Sequence, residues 1–181
     1  MTSASLGPTF KTASGQSTGV KGFDAEFQNL DPYIRFITER IWKGGRVEDI
    51  HQNDSEPCVV ETCTSVSTYI EDVVRGTYAT MAMFPDRLIL VEDVIQSGDE
   101  DGGFLSSHRF VSTMTLKGTD PLGQATESRI YTPFIAEGMC INNRIVHQWL
   151  IRDQSAMALH TGTTPQALAQ QLLDEQDESN V

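Results

Sequence analysis

The sequence predicts an α+β fold, in which a strongly curved antiparallel sheet wraps as a cone around N-terminal helices, and three observations carry that prediction. Apolar residues recur at helical spacing between Asp31 and Met83. From Arg87 to Asp153 the apolar runs are dense and β-favouring instead, and glycine-rich or acidic turns break them. Pro133 interrupts the longest of these runs, which demands an edge or a bulge and so a bent sheet. Helices followed by a bent meander make two layers with an apolar interior and one open mouth.

In chain order, residues 1–30 read as a flexible arm, because Met1 to Gly22 is rich in Ser, Thr and Gly with only Leu6, Phe10 and Val20 as sizeable apolar groups. A single domain then spans 31–173. Asp31 and Pro32 have the chemistry of an N-cap and a first helical position, and Ile34, Ile37 and Ile41 follow at helical spacing until Gly44-Gly45. Ile50 to Asn53 suggest a second short element, and Cys58 to Cys63 a short strand. Ser67 to Met83 reads as a helix, stopped by Phe84-Pro85-Asp86. Four consecutive antiparallel strands are expected over Arg87–Gln96, Phe104–Leu116, Gln124–Ile141 and Asn142–Asp153, with turns at Ser97–Gly103 and Lys117–Gly123. Ser155–His160 and Pro165–Leu173 read as helices, the second capped by Thr164, and 174–181 as an acidic, solvated tail.

Composition excludes several classes of function. With 181 residues and 39% hydrophobic content, the chain is expected to be one globular domain. A net charge of −12 argues against nucleic acid and against an anionic membrane surface, both of which are held by clustered Lys and Arg. No apolar run is long enough to span a bilayer, and the N-terminus has no secretory h-region. Cys58, Cys63 and Cys140 lack metal-ligand spacing, and their odd number suits a reducing compartment, so a cytoplasmic protein is expected.

The stretch Asn142 to Asp153 concentrates the chemistry. Regular alternation puts Ile145, His147, Trp149, Ile151 and Asp153 on one strand face, where greasy walls and titratable groups could line a pocket. Two roles are open to Asp153: a carboxylate inside the cone, or the cap of the helix that begins near Ser155. His147 lies about 20 Å from it at about 3.3 Å per residue, so the two could touch only opposite ends of a large ligand. A half-buried, satisfied His is the plainer reading. His108 shares its face with Phe104, Phe110 and Met114 and is expected to point inward, as a core histidine or as the partner of Asp153. Arg109 then faces outward unless a bulge reverses the phase. Trp149, Trp42 and Tyr131 are candidate cavity walls or ordinary core. Ser106 and Ser107 lack a nucleophile-elbow setting, and the glycines at 98–103 sit among carboxylates that would repel phosphate.

The combination of Phe84-Pro85-Asp86, the Val91-Glu92-Asp93 strand, Gly103-Phe104-Leu105-Ser106-Ser107-His108-Arg109, Gly118-Thr119 with Gly123, and Asn143 through Asp153 resembles the nuclear-transport-factor-2-like superfamily, and within it the SnoaL-type polyketide cyclases. The resemblance covers about Asp31 to Leu173. It implies a cone-shaped homodimer that packs through the outer sheet face and uses no metal or organic cofactor. It also implies an acidic residue inside the cone as general acid/base, at the position of Asp153; on that reading His108 or Arg109 is expected to polarise or orient an oxygen. Where the cyclases carry an acidic residue before the Trp, this chain has His147-Gln148.

The function so implied is cofactor-independent proton-transfer chemistry (cyclisation, isomerisation or dehydration) on an apolar, carbonyl-bearing small molecule. The alternative is a non-catalytic ligand-binding or dimerisation module on the same fold. Fold alone does not choose between them.

Overall fold

The computed structural model describes residues 30–99, 101–118, 126–142 and 144–179, so the N-terminal arm before Leu30 and the turn at 119–125 lie outside the described residues. Helix α1 (Leu30–Thr38) runs on as a π-helical turn, Glu39–Lys43, and a tight turn at Val47–Asp49 leads into the short α2 (Ile50–Asn53). Strands β1 (Asp54–Glu61) and β2 (Val66–Ser67) precede α3 (Ile70–Met83). Strands β3 (Leu88–Asp99), β4 (Gly103–Thr115), β5 (Arg129–Ile141) and β6 (Arg144–Arg152) follow, then α4 (Gln154–His160) and α5 (Pro165–Ser179).

The apolar spacing that predicts α1 does bury one stripe: Leu30, Tyr33, Ile34, Ile37 and Ile41 are all in the core. Asp31 does not cap this helix. It sits in the first turn and bonds the Arg35 guanidinium one turn on, at 3.1 Å. The Leu30 N–H is tied to the sheet, donating to the buried Gln96 side chain at 3.0 Å. At the other end, α5 continues through the acidic segment to Ser179, with side-chain bonds from Gln170 to Asp174 and from Gln171 to Glu175. The tail is therefore helical well past Leu173, because these one-turn pairs support the helix.

The sheet has the order β2-β1-β6-β5-β4-β3 among the described residues. The meander β3 to β6 is antiparallel as expected, but β1 pairs parallel to β6, so the sheet is mixed. A parallel pair needs a long crossover, and here α3 and the whole β3–β5 meander supply it. The β3–β4 turn needs glycine at position 98: φ there is +107°, and a Cβ would lie 2.2 Å from the Gly103 carbonyl oxygen. Pro133 is accommodated inside an internal strand because β6 ends opposite Phe134, leaving the proline locally at an edge.

A β-bulge decides which residues of β6 look inward. Ile145 pairs with Cys140 and His147 with Met139, so Val146 is the extra residue and the strand changes phase there. Gln148, Leu150 and Arg152 consequently pair with the inward Gly138, Ala136 and Phe134, whereas His147, Trp149 and Ile151 pair with Met139, Glu137 and Ile135 on the outer face. A one-residue slip reverses every side chain beyond it. Simple alternation therefore gives the wrong inner face for this strand.

Two apolar clusters form the core. One joins α1 and α3 to Cys58, Val60, Cys140 and Ile145, and the other gathers Phe84, Phe110, Met114, Ile130, Phe134 and Met157. No helix among the described residues is long and apolar enough to cross a membrane.

Candidate functional site

The two clusters do not close on each other completely. Between them lies a cavity of about 260 Å³, walled by Ile37, Ile41 and Ile50 from one and Phe110, Phe134 and Ala136 from the other. Helices α1 and α3 cover it, and the inner faces of β4, β5 and β6 form its floor. Its size suits one small ring system.

The polar lining is ordered by the strand register. Arg152, Phe134 and Phe110 form one rung across β6, β5 and β4. Leu150, Ala136 and His108 form the next, and Gln148, Gly138 and Ser106 the third. Asp54, at the start of β1, reaches the third rung through a long contact from Gln148 Nε2 at 3.4 Å.

Asp54 is 2% exposed. Its other carboxylate contact is the Cys58 thiol, with Sγ 3.8 Å away, and the nearby Arg144 guanidinium bonds its main-chain carbonyl at 3.0 Å instead of its carboxylate. Burial without a cation disfavours the ionised form and pushes the carboxyl pKa up to about 7, the weak Cys58 contact opposing only slightly. Asp49, five residues earlier and equally buried, behaves oppositely. Its hydrogen bond from Arg40 at 2.6 Å, with Arg46 close by, holds it below the usual range. Desolvation raises the Asp54 pKa, and no cation like Arg40 stands by its carboxylate to offset it.

His108 is also in the lining and is buried among apolar groups, stacked on Phe110 with ring centres 5.3 Å apart. Burial, helped by the charge of Arg35, pushes its pKa down to about 4, so it is a neutral imidazole at pH 7. Its Nδ1 is buried and has no hydrogen-bond partner among the described residues.

Arg87 and Arg152 also stand in the polar lining. Arg87 follows Phe84-Pro85-Asp86, whose Asp86 carboxylate accepts from the Thr115 N–H and hydroxyl at 2.8 and 2.7 Å and so fixes the start of β3. The Arg87 guanidinium lies over the Trp42 ring at 4.2 Å and the Phe134 ring at 5.2 Å. Burial, then repulsion from Arg152, lowers its pKa to about 10, which leaves it charged at pH 7.

Among the residues singled out from the sequence, the structure brings His108 and Trp42 to the cavity. The others stand elsewhere. The Val146 bulge sends His147 and Trp149 to the outer face, where they stack at 3.9 Å and His147 Nε2 meets Glu61 Oε1 at 2.6 Å. Tyr131 is 63% exposed on the same face. Arg109 is exposed there too and pairs with Glu92 at 2.5 Å, as alternation from an inward His108 requires. Asp153 lies just past the end of β6, exposed and absent from the cavity lining, and its Oδ1 accepts the Ala156 N–H at 2.8 Å to cap α4. Its second reading, the helix cap, is the one its geometry supports. Replacing Asp153 by Ala is expected to cost about 1 kcal/mol in a denaturant titration, as cap removals do, and to leave ligand binding in the cavity unchanged.

The sequence reading passed over Asp54, Arg87, Arg152 and Gln148. The last two were hidden by the residue inserted after Ile145, which exchanges the faces of β6 and shows only in its pairing with β5. Asp54 carried no signal, because the β6 residues beside it, Arg144 and Gln148, are distant in the chain. The buried Cys58 and Cys140 thiols are both pushed up to about 12 by burial, and so stay protonated and unreactive. No group of three or more His, Cys, Asp or Glu side chains placed to hold a metal occurs among the described residues.

No family model and no curated protein matches the chain. Solved structures do. IdmH from Streptomyces antibioticus, a proposed polyketide cyclase, superposes with a TM-score of 0.60 at 21% identity over 74% of this chain and 98% of that one. A proposed SnoaL-like polyketide cyclase from Jannaschia sp. CCS1 gives 0.64 at 11% identity over 79% and 100%. A protein of ketosteroid-isomerase-like fold from Catenulispora acidiphila, in complex with trimethylamine, gives 0.59 at 13% identity over 73% and 94%. Six strands in an open mixed sheet, laid over five helices among the described residues, give this chain the nuclear-transport-factor-2-like cone fold of the SnoaL-like polyketide cyclases.

Proposed function

We propose that the chain is a cofactor-independent enzyme that moves a proton on a carbonyl-bearing small molecule held in the cavity, with Asp54 as the base. The observation that carries this reading is a buried carboxylate with no cation, lining an apolar-walled cavity and titrating near pH 7. Such a group takes a proton from a carbon beside a carbonyl far better than an exposed aspartate does. The neutral His108 supports the same reading, because one ring N–H can polarise the carbonyl oxygen without adding a charge. Where the cyclases have an acidic residue before the strand Trp, Gln148 here faces the cavity and touches Asp54, so β1 supplies the carboxylate that β6 lacks.

Proton exchange tests the reading without knowledge of the natural substrate. Bicyclic ketones incubated with the protein in D2O are expected to gain deuterium at the carbon beside the carbonyl, as read by NMR, and to gain it only at the buffer rate with Asp54→Asn. Exchange at the buffer rate with the wild-type protein would leave the alternative, a binding module on the same fold.

The proposal includes a homodimer and a cytoplasmic setting. Tyr131, Ile135 and Ile151 leave an exposed apolar patch on the outer sheet face, the face through which the resemblance implies dimerisation. Sedimentation is expected to give twice the chain mass, and Ile135→Asp to halve it. The free thiols Cys58, Cys63 and Cys140 suit reducing conditions.

A further inference from the structure

The chain is strongly acidic, with 25 Asp and Glu against 13 Lys and Arg, so cations are scarce. Most described arginines are spoken for by carboxylates: Arg35, Arg40, Arg46, Arg75, Arg109 and Arg129 each hold one. The two arginines in the cavity lining do not. Arg87 donates its Nε to Ser112 Oγ at 3.0 Å, and Arg152 donates its Nε to Gln154 Oε1 at 3.1 Å. The Nη groups of both have no protein partner among the described residues.

These guanidiniums share one end of the cavity. Arg152 stands directly across the β5–β6 ladder from Phe134, and the Arg87 guanidinium lies over that same ring. Stacking on Trp42 and Phe134, with Nε tied to Ser112, fixes the plane of Arg87. Two like charges brought together in a half-buried site, each with an unused fork of donors, are what a bidentate anion satisfies. Asp54 lies two rungs away along β6, beside Gln148, and pairs with neither arginine. The acidic Asp72 in the lining is engaged by Arg75.

We infer that the ligand of this cavity carries a carboxylate, seated between Arg87 and Arg152, and that its neutral ring system extends past His108 toward Asp54. This inference rests on the proposed function for its choice of cavity, and it names the substrate class: a cyclic carboxylic acid bearing a carbonyl at the end away from the acid. The arrangement also sets orientation. The anion anchors one end, so the carbon to be deprotonated is delivered to the other, away from charges that would neutralise Asp54.

Calorimetry with two probes of nearly equal shape, 2-naphthoate and 2-naphthamide, tests the inference at pH 7.5. The wild-type protein is expected to bind the acid at least about tenfold more tightly than the amide, the discrimination of one charged hydrogen-bonded pair. Arg87→Met and Arg152→Met are each expected to erode that preference. Equal binding of the two probes to the wild-type protein, binding of neither, or a preference that survives both substitutions overturns the inference. The wild-type comparison needs no variant, so it decides the matter even if Arg87→Met does not fold. Asp54→Asn separates this inference from the one beneath it, because it is expected to keep the acid preference. An intact preference with no Asp54-dependent proton exchange sinks only the catalytic reading, and equal probe binding with Asp54-dependent exchange sinks only the carboxylate anchor.

Discussion

Asp54→Asn is expected to lower catalysed proton exchange by about 10² to 10⁴-fold, the usual contribution of a positioned acid/base, and to make the folded chain more stable at pH 8. The second effect follows from linkage. The folded carboxyl titrates at about 7 and the unfolded one near the ordinary value of about 3.9. Below about pH 4 both states are protonated, and the group has no stability cost. As pH rises from about 4 to 7 the unfolded chain loses its proton while the folded chain retains it, so stability falls, and it levels off above about 7. The full difference amounts to about 4 kcal/mol, at about 1.36 kcal/mol for each factor of ten. The amide fits the same space without that cost. Thermal melts at pH 8 should therefore show the inactive variant melting above the wild type. A variant that melts at or below the wild type would mean that Asp54 is not held as a strained, desolvated base. Loss of activity with gain of stability is the behaviour of a residue retained for function.

His108→Leu is expected to have the second-largest effect, of the opposite sign in pH. The folded imidazole titrates at about 4 and the unfolded one near about 6.5. Between about pH 6.5 and 4 the unfolded chain takes up a proton that the folded chain does not, so stability falls as pH falls, by roughly 3 kcal/mol in all. In the wild type this slope opposes that of Asp54 over about pH 4 to 6.5, and the two nearly cancel. Each variant should uncover the other group. Asp54→Asn should lose stability on acidification through His108, and His108→Leu should lose it as pH rises from about 4 to 7 through Asp54. Urea midpoints across that range measure both. Parallel profiles for the two variants would sink the assignment of the two shifts. His108→Leu should also slow proton exchange by about 10² to 10³-fold, since it removes the donor to the developing oxyanion.

The outward-turned residues bear on how far a sequence can be read. Trp149 and His147 look like cavity residues because aromatic and titratable groups in an apolar strand suit a pocket. They stack on each other outside the sheet instead, with the Glu61 carboxylate hydrogen-bonded to His147. Arg109 follows the alternation from His108 because no bulge intervenes between them in β4, and its charge is met by Glu92.

The sequence by itself determined the order of layers, the helical stripe of α1, the four-strand meander and the inward aim of His108. These depend on near-neighbour spacing, turn chemistry and burial, which a linear pattern records. Tertiary structure decided the working site. Val146 is an ordinary apolar residue, and only the pairing of β5 with β6 makes it a bulge that exchanges the faces of everything after it. The pKa of Asp54 is likewise absent from its own segment. Asp49 and Asp54 are the same residue type and equally hidden from solvent, and their opposite shifts follow from the depth of desolvation around Asp54 and from where Arg40 and Arg144 place their guanidiniums. Periodicity is local and therefore legible, whereas desolvation and the presence or absence of a counter-charge are set by residues distant in the chain.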